Sequence, residues 1–198
     1  MMSMWKKIKK LFKPDSDSSE KDDSELEFVT FQENDPIDVT FTKNFIAGGG
    51  MFLYCENEQE TLENLKSILD NELVSELVCF EEKLINLLNR LGAKHHPDFK
   101  KDLDYAFISC EYLVAFDGSI MLSSKQTKGR KQEDLPNNII IYAKPNQFTV
   151  NINEALQKLN SRKRQSIHTT TSIRGRNIHN VDASSASKNI YLLLVEQY

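Results

Sequence analysis

Three features of the chain predict an α/β domain with a mostly parallel central sheet, helices on both faces and one antiparallel hairpin. Short apolar runs alternate with segments of helical periodicity through the first half. An Asp117-Gly118 pair stands between two β-rich runs, as expected of a hairpin turn whose residues must tolerate positive φ. The run Ile139-Ile140-Ile141 has the composition of a central strand buried on both faces, and Ile190 to Val195 is a nearly continuous apolar run that closes the sheet.

Residues 1–13 contain five lysines and no acid, with Met4, Trp5, Ile8, Leu11 and Phe12 at helical spacing on the opposite side. They read as a basic amphipathic helix suited to peripheral contact with a membrane surface or a protein partner. The competing reading is a short helix that packs on its own domain or frays, because so short a helix is marginal alone. Residues 14–27 open on Pro14 and hold seven acids against Lys21, the composition of an acidic flexible linker. The folded domain then spans 28–198.

Within it, Phe41 to Ala47 ends at Gly48-Gly49-Gly50, a helix C-cap and tight turn, and Met51 to Cys55 follows as a strand. Glu58 to Asn71 is a helix whose inner face is Leu62, Leu65, Ile68 and Leu69. Leu77 to Phe80 is a buried strand, and Lys83 to Leu91 a helix that Gly92 terminates. Tyr105 to Ser109 is a strand, Glu111 to Phe116 and Ser119 to Ser123 flank the hairpin turn, and Lys125 to Asp134 is an exposed loop. Asn137 to Ala143 is a central strand, and Asn151 to Leu159 a helix capped by Asn151 or Asn153. Ser166 to Thr171 is a further strand, and Ile190 to Val195 closes the sheet.

Composition excludes several classes. With 25 basic against 29 acidic residues, the net charge of −4 argues against nucleic acid as partner. No apolar run is long enough to span a bilayer, and the basic N-terminus lacks the features of a secretory signal. Three cysteines without a CxxC pair give neither a disulfide framework nor a self-contained zinc or iron–sulfur site, so no cofactor is expected and a reducing cytoplasm is the simplest location. Cys55, Cys79 and Cys110 lie in or beside apolar strands, where a thiol serves as a small hydrophobe. His95-His96 falls in a Gly/Pro-punctuated loop with no third ligand at metal spacing, so no metal site is expected. Gly48-Gly49-Gly50 matches neither a dinucleotide fingerprint nor a P-loop.

Two polar segments remain as candidates for binding. One is the hairpin tip and the loop after it, with Asp117, Gly118, Ser119 and Arg130; the other contains Thr170, Thr171, Ser172, Arg174 and Arg176. A loop with hydroxyls, a glycine and arginines can hold a small carboxylate or phosphate through backbone N–H groups and guanidinium forks. The alternative is a solvated basic loop. If both segments border one cleft, Arg130, Arg174 and Arg176 converge with the hydroxyls of Thr170, Thr171 and Ser172.

The segment Phe45-Ile46-Ala47-Gly48-Gly49-Gly50-Met51-Phe52 with the helix after it resembles the opening of the LUD family, the lactate-utilisation proteins of LutC type. Glu111 to Leu122 is similar to that family's Ala-Glu-Thr-Gly-Thr hairpin. Arg130, Leu135-Pro136 and Asn138-Ile139-Ile140 fall where the family has an arginine, a Leu-Pro and a His-Ile strand opening, and Asn153 to Leu159 resembles its next helix. The resemblance spans roughly residues 40–196. It implies a NagB/RpiA/CoA-transferase-like fold and a role linked to L-lactate oxidation, with the redox chemistry held by iron–sulfur oxidoreductase partners. The chain departs from the family at Thr169 to Ile178, which replaces a Gly-Pro-Ser-Arg-Thr-Ala-Asp-Ile-Glu loop, and at Ser184 to Lys188, which replaces Gly-Val-His-Gly-Pro. Phe116-Asp117 stands for an acidic-Thr pair and Asn138 for a histidine, so activities that need those side chains do not transfer. The leading expectation is a LUD-domain subunit that binds a small anion or a redox partner. An enzyme acting on a small phosphorylated or carboxylated metabolite, with Asp117, Arg130, Arg174 or Arg176 at its site, is the second. A membrane-peripheral adaptor using residues 1–13 is the third, and whether the chain is catalytic stays open.

Overall fold

The structure is a computed structural model that describes residues 35–162, 169–176 and 187–196. The expected N-terminal helix and acidic linker lie outside these residues. Helix α1 (Ile37–Ala47) buries Phe41 and Phe45, one turn apart and stacked with ring centroids 5.4 Å apart. It ends at Gly48, and the N–H groups of Gly48, Gly49 and Gly50 all bond back to carbonyls of its last turn. Strand β1 (Met51–Cys55) follows. Helix α2 (Glu58–Asn71) starts where the Asn57 side chain accepts the Glu60 N–H at 2.9 Å, and it buries the expected leucine and isoleucine face. Next come β2 (Glu76–Val78), α3 (Glu82–Leu91) and β3 (Lys94–His96), with Gly92 in the left-handed region at φ 67° ending α3.

The remaining elements are β4 (Tyr105–Ser109), β5 (Tyr112–Val114), β6 (Ser119–Ser123), the single turn α4 (Ser124–Thr127), β7 (Asn138–Ala143), β8 (Phe148–Thr149), α5 (Ile152–Arg162), β9 (Thr170–Gly175) and β10 (Ser187–Val195). Asn151 is the cap of α5: its Oδ1 accepts the Glu154 N–H at 3.0 Å.

Six strands form a parallel sheet in the order β3-β2-β4-β7-β10-β1. The steps β1 to β2 and β2 to β3 run in the same direction along that sheet, so right-handed crossovers place α2 and α3 on one face. There Leu62, Leu65, Leu84 and Leu88 pack with Cys55, Phe107, Ile140 and Leu193. The strand residues of opposite orientation, such as Ile108, Ile139, Ile141 and Leu192, are buried as well, so both faces are covered. A smaller ribbon, β8-β5-β6-β9, pairs β5 with β6 and β6 with β9 antiparallel, and α5 packs on its Tyr112, Val114 and Met121. The ribbon joins the main sheet where β9 meets the start of β10, with Arg174 opposite Ser187 and Gly175 opposite Lys188. The predicted class, a mostly parallel sheet flanked by helices with antiparallel strands added, is the observed one.

Four local expectations are corrected. The hairpin turn has four residues, Ala115 to Gly118, since the last pair is Val114 with Ser119. The chain widens there because the N–H groups of Ala115 and Phe116 bond instead to the carbonyls of Thr149 and Val150, at 2.8 and 2.9 Å. His95 and His96 form the short edge strand β3, paired with Leu77 and Val78. The stretch Lys125 to Asp134 is not all exposed loop: α4 buries Gln126 and Thr127. β10 lies inside the sheet, with β1 as the edge beyond it.

Candidate functional site

At the β5–β6 turn, Asp117 is held on two sides. Its Oδ1 accepts the Ser119 N–H at 3.1 Å and the Ser119 hydroxyl at 2.7 Å, while Oδ2 accepts from the Arg174 guanidinium in an ion pair. The neighbouring Gly118 has φ 65°, and a Cβ on it would lie 2.5 Å from the Phe45 nitrogen. Asn44 of α1 clamps the same turn by donating to the Ala115 carbonyl at 2.7 Å. On β9, a Cβ at Gly175 would lie 2.5 Å from the Gly50 nitrogen and 2.7 Å from the Gly48 carbonyl oxygen. Glycine at 118 and 175 therefore lets the end of α1, the hairpin turn and the end of β9 meet backbone to backbone.

Beside this junction lies Lys188, paired with Gly175 across the β9–β10 ladder. It is 2% exposed, and its Nζ donates to the Leu135 carbonyl at 2.9 Å. No carboxylate of the described residues forms an ion pair with it. Burial, and then the positive charge of Arg176, hold its pKa below the ordinary lysine value. Among the described residues this buried ammonium has one acceptor, the Leu135 carbonyl, and no counter-charge, so it keeps donor capacity in reserve.

The expected binding residues are thus divided. Asp117, Gly118, Ser119, Arg174 and Arg176 gather at the junction with Lys188. Thr170 to Gly175 is a strand, not a loop, so its N–H groups do not form an anion cradle. Strand alternation puts Thr170, Ser172 and Arg174 on one face and Thr171 on the other. Thr170 pairs with Ser123 at the far end of β6, about 13 Å along the strand from Arg174. Arg130 is at that far end too, where it donates to the Phe99 carbonyl at 3.1 Å and covers the Phe99 ring. Lys188 is the residue that sequence reasoning passed over; its signal was a lone lysine in the polar opening of a strand that is mostly apolar from Ile190 onward.

The lysine makes a pH dependence. Its folded pKa lies below the unfolded value, so the unfolded chain binds more protons between the two, and stability rises with pH across that window. The destabilising contribution is complete below the folded pKa and vanishes near 10.5. Urea unfolding from pH 7 to pH 10 should show the wild type gaining stability relative to Lys188→Met. Parallel curves would mean that Lys188 titrates as it does in water.

Elsewhere the groups are quieter. Cys55, Cys79 and Cys110 are buried, and burial pushes the Cys79 thiol up to about 12, which leaves no thiolate for nucleophilic work. Among the described residues no cluster of three His, Cys, Asp or Glu side chains is placed to hold a metal ion, and no helix is long and apolar enough to cross a membrane. The crevice between β2 and β4, where strand order reverses, is closed by the chain itself. Glu81 accepts the Ser109 N–H there at 2.7 Å, and Gln126 of α4 reaches the Ser109 hydroxyl.

A parallel α/β sheet extended through one strand into a small antiparallel ribbon defines the class of protein. A solved structure shares it: a DUF162 family protein from Deinococcus radiodurans is similar over 81% of this chain and 96% of its own, with a TM-score of 0.60 and 14% sequence identity. DUF162 corresponds to the LUD-domain proteins. No family model matches the chain, and no curated protein matches it. At that identity the likeness establishes the fold alone.

Proposed function

We propose that this chain is a LUD-like binding subunit that holds a small carboxylate or phosphate where β9 meets β10. The observation behind the reading is Lys188, a fully buried ammonium without a carboxylate partner among the described residues, set beside Arg176. An anion there receives charge-assisted hydrogen bonds from one ammonium and one guanidinium, each worth about 1.5–3 kcal/mol. Arg174, neutralised by Asp117, positions β9 against the turn instead of serving as a donor. The resemblance to lactate-utilisation proteins makes 2-hydroxy carboxylates the first ligands to try, with any electron transfer assigned to iron–sulfur partner proteins. The buried thiols are consistent with that division.

A thermal-shift screen of lactate, phosphate and sulfate against uncharged lactamide tests it. The anions should raise the melting temperature and lactamide should not, and Arg176→Ala should weaken the best anion by about tenfold. Equal shifts from lactamide, or none from any anion, would refute the reading.

A further inference from the structure

A second group of residues gathers at the carboxyl ends of the main-sheet strands, about 26 Å along β10 from Lys188. Ligands of parallel α/β sheets bind at that end of the strands. A cleft of about 240 Å³ opens there between the ends of β1, β7 and β10 and the first turns of α2 and α3. That is more than the roughly 150 Å³ that holds benzene and less than the roughly 300–1,000 Å³ of drug-sized pockets. Leu87, Val195 and the Tyr142 ring give the cleft apolar walls. Its rim is acidic on the β1 side. Cys55 stands opposite Val195, so the next residues, Glu56 and Glu196, leave the sheet together, and the Glu196 N–H donates to the Cys55 carbonyl at 2.9 Å. A third carboxylate, Glu58, is paired with Arg90. On the β7 side the Lys83 ammonium donates to the Tyr142 hydroxyl at 3.0 Å and lies 4.7 Å from the centre of that ring. Glu196 accepts from the neutral Tyr54 hydroxyl and, among the described residues, forms no ion pair with Lys83.

We infer that this cleft binds a small organic ammonium ion, a primary amine on a short apolar body. The Lys83 ammonium already rests over an aromatic ring and against a hydroxyl, as a bound amine does. That place is filled, so an incoming ammonium goes to the β1 side. There the Glu196 carboxylate has acceptor sites beyond its bond with Tyr54, and Glu56 stands next to it. The hydrocarbon part of the ligand packs on Leu87 and Val195, and the volume admits one ring or a chain of similar bulk. A carboxylate ligand would face three glutamates against one lysine, so the lining selects a cation. Among the described residues no three carboxylate, histidine or cysteine side chains are grouped to ligate a metal ion, which leaves an organic cation. The inference does not depend on the anion site at Lys188.

Calorimetric titration and thermal shift of the full chain with benzylamine and with uncharged benzyl alcohol, at constant ionic strength, test it. Benzylamine should bind and raise the melting temperature, and benzyl alcohol should bind at least about tenfold more weakly. Glu196→Gln keeps an amide oxygen that accepts from Tyr54, and it should weaken benzylamine by about tenfold. Glu56→Gln should weaken it as well, so the test stands if one of the two variants does not fold. Lys188→Met should bind benzylamine as the wild type does, which separates this cleft from the anion site. No binding of benzylamine, equal binding of benzyl alcohol, an affinity unchanged in either folded glutamine variant, or a loss of affinity in Lys188→Met would overturn the proposal.

Discussion

Gly118→Ala should lower the unfolding free energy by about 2–5 kcal/mol. The residue sits at φ 65°, and an L side chain there costs roughly 1–2 kcal/mol by clash with its own backbone. The added methyl would also lie 2.5 Å from the Phe45 nitrogen and 2.6 Å from the Asn44 carbonyl carbon, which belong to a helix end already clamped to the turn. Overpacking of that kind costs about 1–3 kcal/mol more. Gly92→Ala is the matched control: φ is 67° and nothing stands within 4 Å of its Cβ, so only the conformational cost of about 1–2 kcal/mol should appear. Chemical denaturation of the two variants separates the contributions. Equal losses would mean that α1 and the hairpin turn are not in contact.

Gly175→Ala should cost about 1–3 kcal/mol and also remove anion binding. Its φ lies outside the left-handed region, so the whole effect is steric, against three backbone atoms of the Gly48-Gly49-Gly50 turn. Backbone cannot rotate aside as a side chain can, so β9 must move from the turn and carry the partner of Lys188 with it. Loss of stability with unchanged anion affinity would separate the glycine contact from the site.

Much of this fold is visible in the residues. The parallel strands are apolar on both sides and the crossover helices carry a leucine stripe, so Ile139 to Ile141 and Leu62 to Leu69 declare their places by pattern alone. The β3 strand did not, because three residues with two histidines have neither length nor apolar alternation, and only pairing with Leu77 and Val78 makes them a strand. Thr170 to Gly175 looked like an anion loop for a related reason: a joining strand with three consecutive hydroxyl residues, an arginine and a glycine has loop composition. Within the candidate site, Asp117, Arg174 and Arg176 were legible as polar residues near glycines. Lys188 was not, since the burial that makes it unusual comes from Leu135 and β9, which are distant in sequence.

The anion site proposed at the sheet junction rests on the buried ammonium of Lys188. Urea unfolding of wild type and Lys188→Met, with and without the best anion from the screen at a hundred times its dissociation constant, tests it most directly. Replacing a buried charge by an apolar side chain of similar shape tends to be neutral or stabilising, so the variant should fold. The anion should add about 2.7 kcal/mol to the wild type and almost nothing to the variant. An equal gain in both proteins would contradict the claim and place the anion away from Lys188.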